Sequence, residues 1–243
     1  MASKEAFPLG VYAQGQTRWL GKRIARETLW NAAKNKLRGK RVLDVGCGYG
    51  HYIQDFLNLG AAEVYGIDYL DNMIEQGNEK VCFECLSTHD MKFDKEFDVA
   101  MCIFVIMWSK NYEELLTSVS NVHKALKPNG VLFCYVPNCV AELKSWSEED
   151  GVKYGYRRLF TDGLDDGDKM NVHFYDLKGK PTNWEMTFFR QETYERCFEE
   201  AGFRNVRVVD PVIRDEWRSE FGAEYVDKML NPTRDLLFVA EKL

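Results

Sequence analysis

The chain has 243 residues, 45% hydrophobic and 29% charged, proportions of an ordinary globular protein that exclude collagen, long coiled coil and wholesale disorder. No apolar run approaches the roughly 18 residues of a membrane span, and Met1-Ala2-Ser3-Lys4-Glu5-Ala6 lacks the basic-then-apolar layout of a secretory signal, so a cytoplasmic location is expected. Thirty-two basic against 38 acidic side chains leave a net charge of −6, which repels a phosphate backbone, so nucleic acid is not an expected partner.

In chain order, residues 15 to about 38 carry Trp19, Leu20, Ile24, Leu29, Trp30, Ala33 and Leu37 mostly at three- and four-residue steps, which predicts an N-terminal helical cap over 1–38. Arg41 to Val45 reads as a strand closed by a glycine-rich turn, followed by a helix stopped at Gly60. The rhythm repeats: strand 63–67, helix 71–79, strands 81–86 and 97–104, helix 112–126, strand 130–136. Alternation at this spacing predicts βαβ units and a parallel sheet. After Pro137-Asn138 the pattern breaks, and residues 140–190 become dense in Gly, Asp, Tyr, Trp and Phe. Within them 170–177 and 182–189 flank Lys178-Gly179-Lys180-Pro181 as an antiparallel hairpin, an inserted lid on what reads as one domain over 1–243. Helix 191–201, strand 205–209 and a last strand 235–241 complete the scheme.

Seven cysteines are scattered, with one C-x-x-C pair at Cys82 and Cys85 inside a predicted strand. No second pair exists, and the four histidines show no metal-binding spacing, so buried reduced thiols and no metal are expected.

The stretch Asp44-Val45-Gly46-Cys47-Gly48-Tyr49-Gly50 lies between a predicted strand and a predicted helix. Its glycines let the backbone approach a ligand at the carboxyl end of the first strand. A dinucleotide fingerprint G-x-G-x-x-G needs its third glycine where His51 stands, and Asp44 suits a cationic amine better than a pyrophosphate. Val64-Tyr65-Gly66-Ile67-Asp68 then puts a carboxylate at the end of the second strand, able to accept hydrogen bonds from both ribose hydroxyls of an adenosine.

These two motifs, followed by Phe97-Asp98-Val99 and Leu126-Lys127-Pro128-Asn129-Gly130-Val131-Leu132, resemble the class I S-adenosylmethionine-dependent methyltransferases, in the family's order. Gly202-Phe203 and the last strand match the family's C-terminal end, and Gln191-Glu192-Thr193-Tyr194-Glu195 adds a likeness to methyltransferases of toxoflavin biosynthesis. The resemblance implies a Rossmann-like, doubly wound, mostly parallel seven-stranded α/β sheet with an antiparallel last strand and the inserted antiparallel lid. It implies S-adenosylmethionine as cofactor, leaving as S-adenosylhomocysteine. Gly46, Cys47 and Gly48 would then lie along the methionine part with Asp44 near its amino group, and Asp68 would hold the ribose. Tyr69 and Met73 would cover the adenine, Ser87 and Thr88 stand where many members place an acid and a small residue for the adenine amino group, and Cys102, Ile103 and Phe104 would line the passage under the sulfonium. Tyr12 would close over the cofactor.

No N-P-P-Y, D-P-P-Y or paired glutamates of the protein-arginine type occur, which leaves the group acting on small molecules. An activated methyl needs positioning above all, and a base only where the acceptor must lose a proton. His173, Tyr175, Tyr154 and Tyr156 are the candidate helpers, with His173 and Tyr175 foremost for catalysis; Trp19, Met107, Trp108, Phe174 and Trp184 are candidates for an apolar substrate pocket. The expected reaction is methyl transfer to N or O of a small aromatic or heterocyclic metabolite. A nicotinamide-dependent dehydrogenase is disfavoured by the glycine spacing and the Lys127-Pro128-Asn129-Gly130 turn; a protein that binds S-adenosylmethionine without methylating is the alternative.

Overall fold

The structure, a computed structural model, describes residues 19–70, 80–143 and 146–243. Helix α1 (Leu20–Ala33) leads into β1 (Arg41–Val45), α2 (Ile53–Asn58), β2 (Glu63–Asp68), β3 (Val81–Cys85), β4 (Phe97–Ile103), α3 (Tyr112–Ala125) and β5 (Leu126–Pro137). A second group follows: α4 (Glu148–Tyr154), β6 (Tyr156–Leu159), β7 (Lys169–Tyr175) and β8 (Pro181–Thr187). The chain finishes with α5 (Gln191–Glu200), β9 (Arg204–Val209), α6 (Asp215–Phe221), α7 (Ala223–Leu230) and β10 (Asp235–Glu241).

Seven strands form one sheet in the order β3-β2-β1-β4-β5-β10-β9. The β1–β2, β1–β4, β2–β3 and β4–β5 pairings are parallel, and β10 runs antiparallel to both its neighbours, β5 and β9. Because helices cover both faces, the central strands are apolar almost throughout rather than at every second residue. Val42, Val99, Met101, Phe133 and Tyr135 pack towards α1 and α2; Leu43, Val45, Ala100, Cys102, Leu132 and Cys134 pack towards α3 and α5. Asn111 caps α3 by accepting from the Glu114 amide, and Ser147 with Asp150 forms a capping box on α4.

The predicted hairpin is part of a separate three-stranded antiparallel sheet, β6-β7-β8. Its strand β6 was not anticipated, nor were α6 and α7, which with α1 and α4 enclose Leu20, Ile24, Trp146, Tyr154, Trp217 and Tyr225 in a third apolar cluster. The predicted helix 71–79 and the first part of the N-terminal cap lie outside the described residues. One expectation is corrected: Cys82 and Cys85 are exposed, because β3 is the edge strand and has a neighbour on one side alone, while the other five cysteines are buried and all seven are free thiols.

Candidate active site

The carboxyl ends of β1, β2 and β4 open on a cavity of about 650 Å³ whose opposite wall is the small sheet. Backbone sterics dictate the glycine turn on its floor. At Gly46, with φ +67°, a Cβ would come within 2.3 Å of Val105 Cγ2; at Gly66 it would meet Cys47 Sγ and Phe83 Cδ1, each at 2.9 Å. Only glycine lets the loop lie this close to β2 and to the turn after β4. The Cys47 amide donates to the Ile67 carbonyl at 3.0 Å and the Gly50 amide to the Cys47 carbonyl at 2.8 Å, which closes the turn.

Asp68 ties the turn to β2. One of its carboxylate oxygens accepts from the Gly48 amide at 2.9 Å, the other from the Leu70 amide at 3.0 Å. Burial still raises its pKa, against the lowering effect of the Leu70, Gly48 and Tyr69 amides. Asp44, 3% exposed, has its pKa pushed up to about 8, first by burial and then by the charge of Asp68. Burial also pushes the Cys47 thiol up, reinforced by Asp44 and Asp68. A cation placed beside these two carboxylates would favour their ionised forms, against the burial that disfavours them.

Of the residues singled out from the sequence, Asp44, Gly46, Cys47, Gly48, Asp68, Tyr69, Ser87, Thr88, Ile103, Met107, Trp108, Tyr156, Phe174 and Trp184 line this cavity. Thr88 is fixed by Ser118, with the hydroxyls 2.9 Å apart, and its carbonyl accepts from Asn121 Nδ2. Trp108 donates from Nε1 to the Phe104 carbonyl at 3.2 Å and meets Trp184 edge-on, linking the end of β4 to the small sheet.

Others lie elsewhere, which corrects the expectations made for them. His173 and Tyr175 occupy the face of β7 opposite to Val172 and Phe174, so strand alternation turns them away from the cavity, and they pack edge-to-face with each other. Cys102 faces the α3 and α5 core for the same reason, one residue out of phase with Ile103. Trp19 packs against Gly155, where a Cβ would sit 2.0 Å from its ring, and Tyr154 is stacked on Tyr225 in the third cluster. Tyr12 and Met73 fall outside the described residues.

The structure adds wall residues not anticipated from sequence: Lys22 from α1, His51 after the glycine turn, Arg158 on β6 and Asp235 at the start of β10. Arg158 Nη2 is ion-paired with Asp235, and the Tyr156 hydroxyl donates to the same carboxylate at 3.1 Å. Burial, then Arg26 and Lys22, lower the pKa of His51. Among the described residues no group of His, Cys, Asp and Glu could hold a metal ion.

A family model described as a methyltransferase domain matches residues 16–208, across the glycine turn, Asp68 and the cavity's other wall. The chain belongs to the S-adenosylmethionine-dependent methyltransferases. This methyltransferase is 26% identical to a demethylmenaquinone methyltransferase of Staphylococcus aureus over 192 residues, 70% of each chain. It is 28% identical to an uncharacterized protein of Haemophilus influenzae, covering 89% of this chain and 85% of that one. Among solved structures it resembles a Mesorhizobium loti S-adenosylmethionine-dependent methyltransferase (TM-score 0.60, 16% identity, 90% of this chain and 100% of that one). It also resembles the Burkholderia thailandensis 1,6-didemethyltoxoflavin-N1-methyltransferase, which was crystallised with 1,6-didemethyltoxoflavin and S-adenosylhomocysteine (TM-score 0.57, 16% identity, 96% and 84%). These likenesses concern the fold. The methyltransferase uses S-adenosylmethionine, and the cavity leaves room over a glycine floor that excludes side chains, with the carboxylates Asp44 and Asp68 in its wall.

Proposed function

We propose that the methyltransferase transfers the methyl group to N or O of a small aromatic or heterocyclic metabolite. The observation that carries this reading is one continuous cavity with the cofactor cradle at one end and Phe104, Trp108, Tyr156, Phe174 and Trp184 at the other. An aromatic wall of this kind binds a flat apolar acceptor and excludes water from it.

S-Adenosylmethionine supplies an activated methyl group, displaced in line from its sulfonium. The chain's residues provide position. Asp68 accepts hydrogen bonds from the ribose hydroxyls, Asp44 faces the amino group, and Ser87 and Thr88 meet the adenine edge. Ile103, Phe104 and Met107 form the passage from β4 to the acceptor. Residues 140–190, with their small sheet, act as the lid over a single domain.

The acceptor is a small molecule: the net charge of −6 disfavours nucleic acid. No described helix is long and apolar enough to cross a membrane, and a cytoplasmic location is part of the proposal.

Calorimetric titration with S-adenosylmethionine, S-adenosylhomocysteine and NAD tests the cofactor, followed by a screen of aromatic acceptors for formation of S-adenosylhomocysteine. Micromolar binding of the first two ligands and turnover of a flat acceptor are expected. Binding without turnover of any aromatic acceptor refutes the transfer and leaves a binding protein.

A further inference from the structure

We propose that the cavity wall after β3 reads the cofactor's purine through hydroxyls that can reverse their hydrogen bonds, so that the protein also takes cofactors whose base is a 6-oxopurine, the S-inosyl forms. This rests on the methyl-transfer reading above, which sets Ser87 and Thr88 at the adenine edge, and names the base specificity of the same site.

Three hydroxyls line this part of the cavity: those of Ser87 and Thr88, in the turn after β3, and that of Ser118 on α3. The turn is gripped from α3. Asn121 Nδ2 donates to the Thr88 carbonyl at 2.9 Å and to the His89 carbonyl at 3.3 Å, and the Thr88 and Ser118 hydroxyl oxygens stand 2.9 Å apart. Ser118 is buried and Thr88 half-buried, so Thr88 is the more accessible of the two. Either hydroxyl can be the donor in that pair. When Thr88 donates to Ser118, it offers the cavity lone pairs, which suit the 6-amino group of adenine. When Ser118 donates instead, the Thr88 proton is released to meet an acceptor such as a 6-oxo group. Rotation about two C–O bonds makes the exchange, with no movement of the chain.

Ser87 has the same freedom. Its Oγ accepts from the His89 amide at 3.3 Å and stands 3.4 Å from His89 Nδ1, a contact whose donor follows the tautomer of the ring. The Ser87 and Thr88 amides donate to no other described residue and are the fixed donors of the turn, able to satisfy N1 of adenine or O6 of hypoxanthine. A carboxylate would break this symmetry, because an ionised carboxylate only accepts. Glu114, one helical turn before Ser118, is held by Lys110 through both oxygens, by the amide at 3.0 Å and the ammonium at 3.1 Å. The turn therefore makes no demand for a donor at position 6 of the base, and such a demand is what lets a site reject an analogue strongly.

The test is calorimetric titration of the whole chain with S-adenosylhomocysteine and with S-inosylhomocysteine under one set of conditions. The two dissociation constants are expected to lie within about tenfold of each other, the cost of one imperfect hydrogen bond. Ser87→Asp puts an acceptor-only group in the turn while keeping an oxygen for the His89 amide; it should retain S-adenosylhomocysteine and reject S-inosylhomocysteine by at least about a further tenfold. Ser87→Asn, which can offer either a carbonyl or an NH2, should keep the wild-type ratio. Thr88→Val fills the same space without the hydroxyl and should weaken both ligands severalfold and equally. A wild-type preference for adenine greater than about tenfold overturns the proposal and would make Glu114 the reader of the base. So does a Ser87→Asp protein that binds S-adenosylhomocysteine with the wild-type ratio, or a Thr88→Val protein that binds both ligands as the wild type does. If Ser87→Asp fails to fold, as its thermal melt would show, the wild-type ratio and Thr88→Val decide alone. If S-adenosylhomocysteine itself fails to bind, the methyl-transfer reading falls and takes this inference with it.

Discussion

Asp44 offers a sharp quantitative test of the role proposed for it, because a carboxylate that burial holds protonated in the free protein would have to be ionised to meet the cofactor's ammonium. Its pKa of about 8, against 3.8 in an unfolded chain, leaves it roughly nine-tenths protonated at pH 7. Expelling that proton costs about 1.4 kcal/mol at pH 7, a tenfold weakening of binding, and another tenfold for each pH unit below. Titrations with S-adenosylhomocysteine from about pH 6 to pH 7.5, in buffers of different ionisation enthalpy, should therefore show affinity rising with pH and close to one proton released per ligand at the acid end. Asp44→Asn should bind more weakly at pH 7.5, with no pH dependence and no proton release. The stability effect has the opposite sign. A folded-state pKa raised above the unfolded value means that the folded chain holds a proton the unfolded chain gives up, so Asp44 lowers stability progressively as pH rises from 3.8 through about 8. Asp44→Asn removes that loss, and the variant should melt higher than wild type at pH 8 and almost equally near pH 4. A wild-type affinity that is flat across this range, with no proton release, would refute the reasoning.

Asp68→Ala loses two charge-assisted bonds to the Gly48 and Leu70 amides as well as the ribose contacts, so thermal denaturation should show a loss of about 2–3 kcal/mol and calorimetry about a hundredfold weaker binding. Unchanged affinity would remove the ribose assignment. Gly46→Ala forces a Cβ into Val105 at positive φ and should abolish measurable cofactor binding while the far-ultraviolet spectrum stays that of a folded α/β protein; retained micromolar binding would contradict the close approach. His173→Ala should leave cofactor affinity and the pH profile of turnover unaltered, since the ring faces away from the cavity; a rate falling at neutral pH alone would restore it as a base.

The part of the cavity wall proposed to hold the cofactor was legible because its residues are close in sequence and obey backbone rules. The glycine turn must follow a strand, Gly66 must yield to Cys47, and Asp68 must end β2. The acceptor half was read less well, for two separate reasons. His173 and Tyr175 were misplaced although the signal was present: Met170, Val172 and Phe174 alternate as apolar residues and so mark the buried face of β7. Cys102, between Met101 and Ile103 in a strand buried on both faces, carried no such signal, since every position from Val99 to Ile103 is apolar. Lys22, Arg158 and Asp235 could not be assembled from local pattern, because they come from the first described helix, from an unanticipated strand and from the last one. Tyr154 was drawn away by α7, for which no periodicity had been read.

The last strand has a consequence for how the protein comes into being. β10 is threaded between β5 and β9, so the central sheet carries a gap beside β5 until β10 has been made. A nascent chain that has made β1 to β5 already carries the glycine turn and Asp68, but β5 still presents a long, apolar, unpaired edge open to aggregation. Inserting β10 seals that edge and, in the same movement, delivers Asp235 to Arg158 and Tyr156 in the cavity wall. Closure of the central sheet and completion of the cavity wall formed by Arg158, Tyr156 and Asp235 are thus one event, and a chain lacking β10 would carry the glycine turn without that wall.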